Sequence, residues 1–320
     1  MHWDISLVLL KLGQFTDGWK EYEWRMTGSC QPYRNIRLPA WKGENLAGKS
    51  ILVIAEQGIG DEIMFASCYQ DLQECAAHVV IDCEPRLAPL FKRSFIKSEI
   101  RAGKQTDDLS PASLADIDVY IHAGSTPGLL QANRHVFRKH NGYLTSDTDA
   151  MEKWRNRYRT LGENINVGLS WKGGHASKHA ARSTTIKLWQ PILKIPGINF
   201  INLQYGNFRN EIDTARKLSG ATIHHWNDSD PLTDMDDFAA QISALDLVIS
   251  VDNSTVHLAG ALGMNTWLLQ PYNTDWRWLE HAADSYWYPA LEQFHPSSPG
   301  NWESILVVIA ERLSKYPASR

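Results

Sequence analysis

The sequence predicts an α/β protein: two Rossmann-like domains facing across a cleft, preceded by a short helical hairpin. Three observations carry this. The chain has 320 residues, more than one core fills comfortably, so two domains of about 100–150 residues are expected. Short, almost wholly apolar runs of strand length alternate with amphipathic stretches, which is the pattern of a parallel sheet covered on both faces. That alternation runs through twice, with a helical stretch at about 149–161 between the passes. Open parallel sheets bind ligands beyond the carboxyl ends of their strands, so two such domains make a natural ligand site.

Composition narrows the class. Hydrophobic residues make up 43% and charged residues 21%, an ordinary globular profile. A net charge of −4 argues against bulk electrostatic binding of nucleic acid. Cys30, Cys68, Cys75 and Cys83 form no C-x-x-C pair, and reduced structural thiols are expected. The start lacks a basic region, and its apolar run is broken by Lys11 and Gly13, so it does not read as a signal peptide. Nothing approaches a membrane-spanning apolar run. A cytoplasmic protein is expected. The 13 tryptophans belong mostly to cores, but indoles also pack on sugar faces, and Trp276, Trp278, Tyr286, Trp287 and Tyr288 form a dense cluster.

Residues 2–26 read as two short helices around Gly13-Gln14, with Trp3, Leu7 and Leu10 at helical spacing, then Trp19 and Tyr22 after an N-cap near Thr16. The pair resembles one tetratricopeptide-type hairpin. One such repeat cannot bury its own faces, so it either begins a longer array or packs on the next domain. Residues 27–48, rich in Pro and Gly, read as a linker. Strands follow at Ile51–Ala55, His78–Cys83 and Asp118–His122. Helices are expected from Asp61 to about Cys75 and over Glu84–Arg93. The second pass places strands at Asn166–Trp171, Asn199–Leu203, Thr222–Trp226, Leu245–Ser250 and Thr266–Leu269. Its helices fall near 187–194, 208–218, 234–243 and 254–262, and a last amphipathic helix spans about Asn301–Leu313. The divisions read are 1–45 for hairpin and linker, 46–148 and 149–298 for the two Rossmann-like domains, and 299–320 for the last helix.

Three segments carry chemistry. Leu247–Gly263 reads as strand, sharp turn and helix, with Asp252, Asn253, Ser254 and Thr255 at the helix start. Free backbone N–H groups and the positive dipole end make an anion site there, and His257 is close enough to reach the same ligand. Plain N-capping by Asp252 or Asn253 is the alternative. Gly168–Ser183 leaves the first strand of the second domain. Its Lys172 and Arg182 can neutralise a diphosphate, and Gly173-Gly174 permits close backbone approach, unless the loop is merely a solvated one. His175 and His179 have i, i+4 spacing, but the glycines argue against a helix there, and no metal site is expected. Glu56–Glu62 lacks the dinucleotide fingerprint. Gly58 and Gly60 read as a turn presenting Asp61 at a strand's carboxyl end, as a general base or as a helix N-cap.

Taken together, Gly58-Ile-Gly-Asp61, Trp171 with Arg182-Ser183, and Asp252-x-x-x-x-His257-Leu-Ala-Gly-Ala-Leu-Gly263 resemble glycosyltransferase family 9, which includes the ADP-heptose:lipopolysaccharide heptosyltransferases. The branch fused behind tetratricopeptide repeats is the more similar, through Pro271–Trp278 and Trp287-Tyr-Pro289. The resemblance implies a GT-B fold and inverting, metal-independent transfer from a nucleotide-diphosphate sugar, with an ADP-linked sugar as the family's best-known donor and no cofactor. It implies an acceptor domain first, a nucleotide-sugar domain second, and a final helix that crosses back onto the first. Asp61 then matches the acceptor-activating base. Lys172 and Arg182 lie in the loop meeting the donor phosphates, Asp252, Asn253, Ser254, Thr255 and His257 match the phosphate-binding helix start, and Gln204 lies where the nucleoside is expected. Gly58, Gly60 and Trp276 fall to the acceptor side or cleft. Two departures stand out: Asn253 replaces the family's Thr or Ser, and Lys172-Gly-Gly-His replaces a Gly-Asn-Pro run.

The implied partners are a sugar nucleotide and a glycan or protein acceptor, with a protein partner for the N-terminal hairpin. A surface polysaccharide or a flagellin-type protein is the acceptor suggested by analogy. Two rival readings remain: a catalytically inactive sugar-nucleotide-binding or docking module of the same fold, and a sugar-nucleotide epimerase.

Overall fold

The computed structural model describes residues 1–27, 36–103, 105, 109–131, 138–173 and 180–316. The chain divides into two compact units: Met1–Thr145 with Asp275–Glu280, and Ser146–Thr274 with His281–Arg320.

The first unit opens with helices α1 (His2–Lys11) and α2 (Phe15–Tyr22). Leu10, Phe15, Trp19 and Tyr22 are buried. The two helices touch at Gly18, where an added Cβ would lie 2.8 Å from the Leu10 side chain and 3.1 Å from its backbone nitrogen. A parallel sheet follows, built of β1 (Ser50–Ile54), β2 (His78–Cys83), β3 (Ser98–Ala102) and β4 (Val119–His122), in the order β3-β2-β1-β4. Helices α3 (Ile59–Phe65) and α4 (Tyr69–Cys75) connect β1 to β2; α5 (Ala88–Ser94) leads to β3, and α6 (Thr126–Leu130) follows β4. The sequence reading lacked β3. Its Ser-Glu-Ile-Arg-Ala run is too polar to read as a buried strand, and it sits at the sheet edge with Glu99 and Arg101 paired on one face at 2.6 Å. The expected linker is partly built into the fold. Trp41 donates its backbone N–H to the Tyr120 carbonyl at 2.8 Å, Trp41 and Leu46 are buried, and the outer edge of β4 is thereby covered.

The second unit begins with α7 (Thr148–Arg159) and β5 (Ile165–Ser170), continues through α8 (Gln190–Leu193), β6 (Ile198–Asn202), α9 (Arg209–Ser219), β7 (Ile223–His224) and α10 (Met235–Ser243), and reaches β8 (Leu247–Val251) and α11 (Ser254–Ala261). It closes with β9 (Thr266–Leu269), β10 (Leu291–Phe294) and α12 (Trp302–Leu313). Its sheet is also parallel, in the order β10-β9-β8-β5-β6-β7. β8 is buried along its whole length, which explains its unbroken apolar run. β7 has only two residues, fewer than the sequence suggested, and β10 went unread because Leu-Glu-Gln-Phe is short and half polar.

The last helix is part of the second unit. Ile305, Leu306, Ile309 and Leu313 of α12 pack into the core of the second unit with Val167, Leu169 and Trp189, so α12 does not belong to the first unit. The late segment that joins the first unit is Asp275–Glu280. The apolar stripe of α12 is satisfied against α8 and the turn Ile186–Trp189 before it. Among the described residues no helix is long and apolar enough to cross a membrane.

Candidate functional site

In the second unit the site grows from the carboxyl end of β8. Asn253 caps α11: its Oδ1 accepts the backbone N–H groups of Thr255 at 3.0 Å and Val256 at 3.4 Å. Its amide nitrogen donates to Ser170 Oγ at 2.8 Å and to the Lys172 carbonyl at 3.2 Å. The capping alternative thus holds for Asn253, and the cap also ties the helix start to the end of β5. Beside it the buried Asp252 carboxylate accepts from Arg182 at 2.9 Å. Ser254 is half-buried at the first helical position. The Thr255 hydroxyl is fully buried with no hydrogen-bond partner among the described residues. His257 is 4% exposed, and its Nδ1 lies 2.8 Å from the hydroxyl of the buried Tyr288. Tyr288 packs against Gly260, where a Cβ would lie 2.4 Å from its ring. Asp252, Asn253, Ser254, Thr255 and His257 therefore share one strand end and one helix turn, and Arg182 reaches them from the short turn Ala180–Arg182.

Two expected donor residues have partners within the protein. Lys172 Nζ pairs with Glu211 and donates to the Asn207 carbonyl at 2.9 Å, so its charge is met at the start of α9. The buried Gln204 accepts the backbone N–H groups of Trp171 at 3.0 Å and Lys172 at 2.9 Å. Its amide nitrogen donates to the Lys172 and Tyr205 carbonyls. Its polar atoms thus hold the loop base, although the residue also lines a cavity of about 330 Å³ at the carboxyl ends of β6 and β7. Phe208, Arg209, His225, Trp226 and Asp230 share that lining. The far side of the loop is pinned too: Thr184 donates to the Trp171 carbonyl, and Ser183 Oγ accepts the Gly173 N–H at 3.0 Å. His175 and His179 lie outside the described residues. Among the described residues, no group of three His, Cys, Asp or Glu side chains could hold a metal ion.

In the first unit the site lies at the start of α3. Gly58 is the N-cap, and Asp61 is the third helical residue, whose Oδ2 accepts the Gly58 N–H at 3.2 Å. Asp61 Oδ1 accepts from Arg277, through Nε at 2.7 Å and through a second guanidinium nitrogen. Arg277 also donates to Asp275 at 2.6 Å and lies 4.6 Å above the Trp276 ring. The turn's conformational demand falls on Gln57, at φ 66°, rather than on Gly58, whose φ is −97°. Gln57 donates its side-chain amide to Tyr22 Oη at 2.6 Å. Trp276 is 7% exposed and packs on Trp19 and Tyr22, with ring centroids 5.7 and 5.3 Å apart. It is thus a packing residue under the N-terminal hairpin, neither an open sugar platform nor a support for the last helix. Beneath these residues the buried Arg25 donates to Glu56 at 2.7 and 2.9 Å. Burial alone would push the Glu56 carboxyl up; Arg25 overrides it and holds the carboxyl below its usual range.

Sequence reasoning missed Arg277, Tyr288, Tyr22 and the Arg25–Glu56 pair. Arg277 and Tyr288 stood inside quoted aromatic segments, yet no spacing signals a partner 216 residues away from Asp61.

No protein-family model matches the chain. Protein FlbA of Caulobacter vibrioides is 32% identical over 329 aligned positions, spanning 98% of this chain and 55% of that protein. The chain thus covers about half the length of this curated relative. A family 9 glycosyl transferase from Veillonella parvula superposes with a TM-score of 0.58 at 12% identity, covering 86% of this chain and 97% of that one. The E. coli ADP-heptose lps heptosyltransferase II gives 0.58 at 13% identity, covering 83% and 96%. With its two parallel sheets, each fed by crossover helices, the chain has the GT-B fold of the family 9 glycosyltransferases.

Proposed function

We propose that the protein is a glycosyltransferase that moves a sugar from a nucleoside-diphosphate donor to a hydroxyl of a glycan or protein acceptor. The observation that supports this most is the start of α11: an Asn253-capped helix turn flanked by the Asp252–Arg182 pair, with the Thr255 hydroxyl buried and unpaired beside it. The positive end of a helix dipole and a guanidinium suit a diphosphate. The cavity at β6 and β7 lies two and three strands from β8, roughly 10–14 Å away at the usual strand spacing. A nucleoside joined to a diphosphate spans about that distance. The heptosyltransferase among the structural neighbours is described as acting on ADP-heptose, which makes an adenine nucleotide the first donor to test.

The chemistry follows. The acceptor hydroxyl attacks the anomeric carbon from the face opposite the diphosphate, inverting it. The carbon–oxygen bond to the diphosphate breaks, and its electron pair stays on the leaving group. The hydroxyl proton passes to Asp61. The charge developing on the diphosphate is met by the positive end of the α11 dipole and by Arg182, so neither cofactor nor bound metal is required. Reduced Cys68, Cys75 and Cys83 suit a cytoplasmic setting.

Calorimetric titration with ADP, with and without magnesium, together with ADP release from ADP-heptose with water as the acceptor hydroxyl, tests this reading. ADP should bind in both conditions, and Thr255→Val should weaken it about tenfold. Asp61→Asn should cut ADP release on the order of 100-fold while keeping ADP affinity. Full release by Asp61→Asn removes it from the role of base. A second reading, a module that binds the nucleotide without transfer, is favoured by the Lys172 ammonium being met by Glu211. It predicts ADP binding with no release from any sugar donor.

A further inference from the structure

We propose that Arg277 is the positioning residue of Asp61, and that the N-terminal hairpin, by holding Arg277, is a working part of the site. This rests on the reading of Asp61 as the base.

The two oxygens of Asp61 are differentiated. Oδ1 takes two donors from Arg277, while Oδ2 has the Gly58 N–H alone among the described residues, at 3.2 Å. A carboxylate left on a helix turn rotates about its last bond, which is soft. One oxygen held by a planar guanidinium fixes that rotation and leaves the other to accept a proton. Both groups are largely shielded, with side-chain exposures of 15% for Asp61 and 13% for Arg277, so the pair is screened less than a surface pair.

Arg277 is itself fixed on two sides. Asp275 accepts from its third guanidinium nitrogen at 2.6 Å and from its backbone N–H at 3.2 Å. Its guanidinium lies over Trp276, and Trp276 rests on Trp19 and Tyr22 of α2. Tyr22 Oη also accepts from Gln57, the residue held at positive φ immediately before the turn that carries Asp61. The hairpin therefore grips the Asp61 turn twice, once through Tyr22 and Gln57, once through Trp276 and Arg277. Both grips arrive from segments far apart in the chain and meet at one carboxylate.

The test is a double-mutant cycle on ADP release from ADP-heptose with water as the acceptor hydroxyl, with ADP affinity measured in parallel. Arg277→Gln should lower kcat about 10–100-fold, leaving KM for the donor and ADP affinity unchanged. Arg277→Lys, which restores the charge without the fork, should recover part of the loss. In an Asp61→Asn background, Arg277→Gln should cost nothing further, because its effect runs through that carboxylate. Thermal melts of each variant report folding. Wild-type kcat in Arg277→Gln, or the same loss with and without Asp61, overturns the positioning role. A wild-type protein that releases no ADP, or an Asp61→Asn protein that releases it normally, fails the transferase reading first and takes this inference with it.

Discussion

Asp61 and Glu62 adjoin in sequence but differ in environment. Asp61 meets a cation, whereas Glu62 is 2% exposed. Burial pushes the Glu62 carboxyl up from 4.5 to about 7, against the Glu84 N–H and Gln105 amide that donate to it. The consequence for stability has a definite sign. Below the unfolded value of 4.5, Glu62 is protonated in both states and its burial is uncharged. As pH rises towards 7 the unfolded chain ionises freely while the folded one resists, so stability is lost through that window. Glu62→Gln should therefore be more stable than wild type at pH 8, by up to about 3 kcal/mol. The gap should narrow by more than half at pH 5.5. Chemical denaturation at both pH values checks this; a gap independent of pH would assign the effect to packing. The sequence could mark the Glu56–Glu62 run as chemically important, since a glycine turn at a strand end is a local pattern. It could not tell which carboxylate would be paired and which buried, because both partners, Arg277 and Gln105, come from distant segments.

In α11 position and packing obey different rules. Its position was legible: an unbroken apolar strand, a polar turn and a small-residue helix follow one another directly, and each rule involved is local. Its packing was not. His257 faces Tyr288, and Gly260 is the residue that lets the tyrosine ring lie on the helix. Gly260→Ala places a methyl 2.4 Å from a ring atom of a side chain that is fully buried. The ring must shift, at a cost of about 1–3 kcal/mol. His257 then loses its hydroxyl partner, and ADP affinity should fall at least as far as in Tyr288→Phe, which keeps the ring and drops only the hydroxyl. Equal ADP affinity in Gly260→Ala and wild type would separate this contact from the proposed nucleotide site. Elements of the opposite kind, β3 and β10, escaped the reading because edge strands owe their existence to pairing with a neighbour rather than to apolar content.

Over the whole molecule, the two-sheet α/β architecture was legible because parallel strands are the most apolar runs a sequence contains. The role of the flanking segments was not. The linker covers a sheet edge, and the turn that ends the hairpin is stitched to the segment after β1 by Arg25 and Glu56, whose side chains are 1% and 3% exposed. Removing one member of such a pair strands the other charge. Arg25→Met should destabilise the first unit by about 3–5 kcal/mol. Scanning calorimetry with ADP separates the units: the nucleotide should raise the transition of the second, and Arg25→Met should lower that of the first. A variant that melts as wild type would show the pair to be dispensable.

Asp275–Glu280 belongs to the first unit although most of the second precedes it in the chain. A ribosome delivers residues in order, so the first sheet emerges long before the strip that finishes its unit. Until then the indole and phenol rings of Trp19 and Tyr22 lack their cover, and the Asp61 carboxylate has no guanidinium. A gene fragment ending at residue 145 would leave those surfaces permanently bare and prone to clump. Cutting this chain into halves for separate production therefore calls for grafting 275–280 onto the first half, not for a cut at the visible boundary.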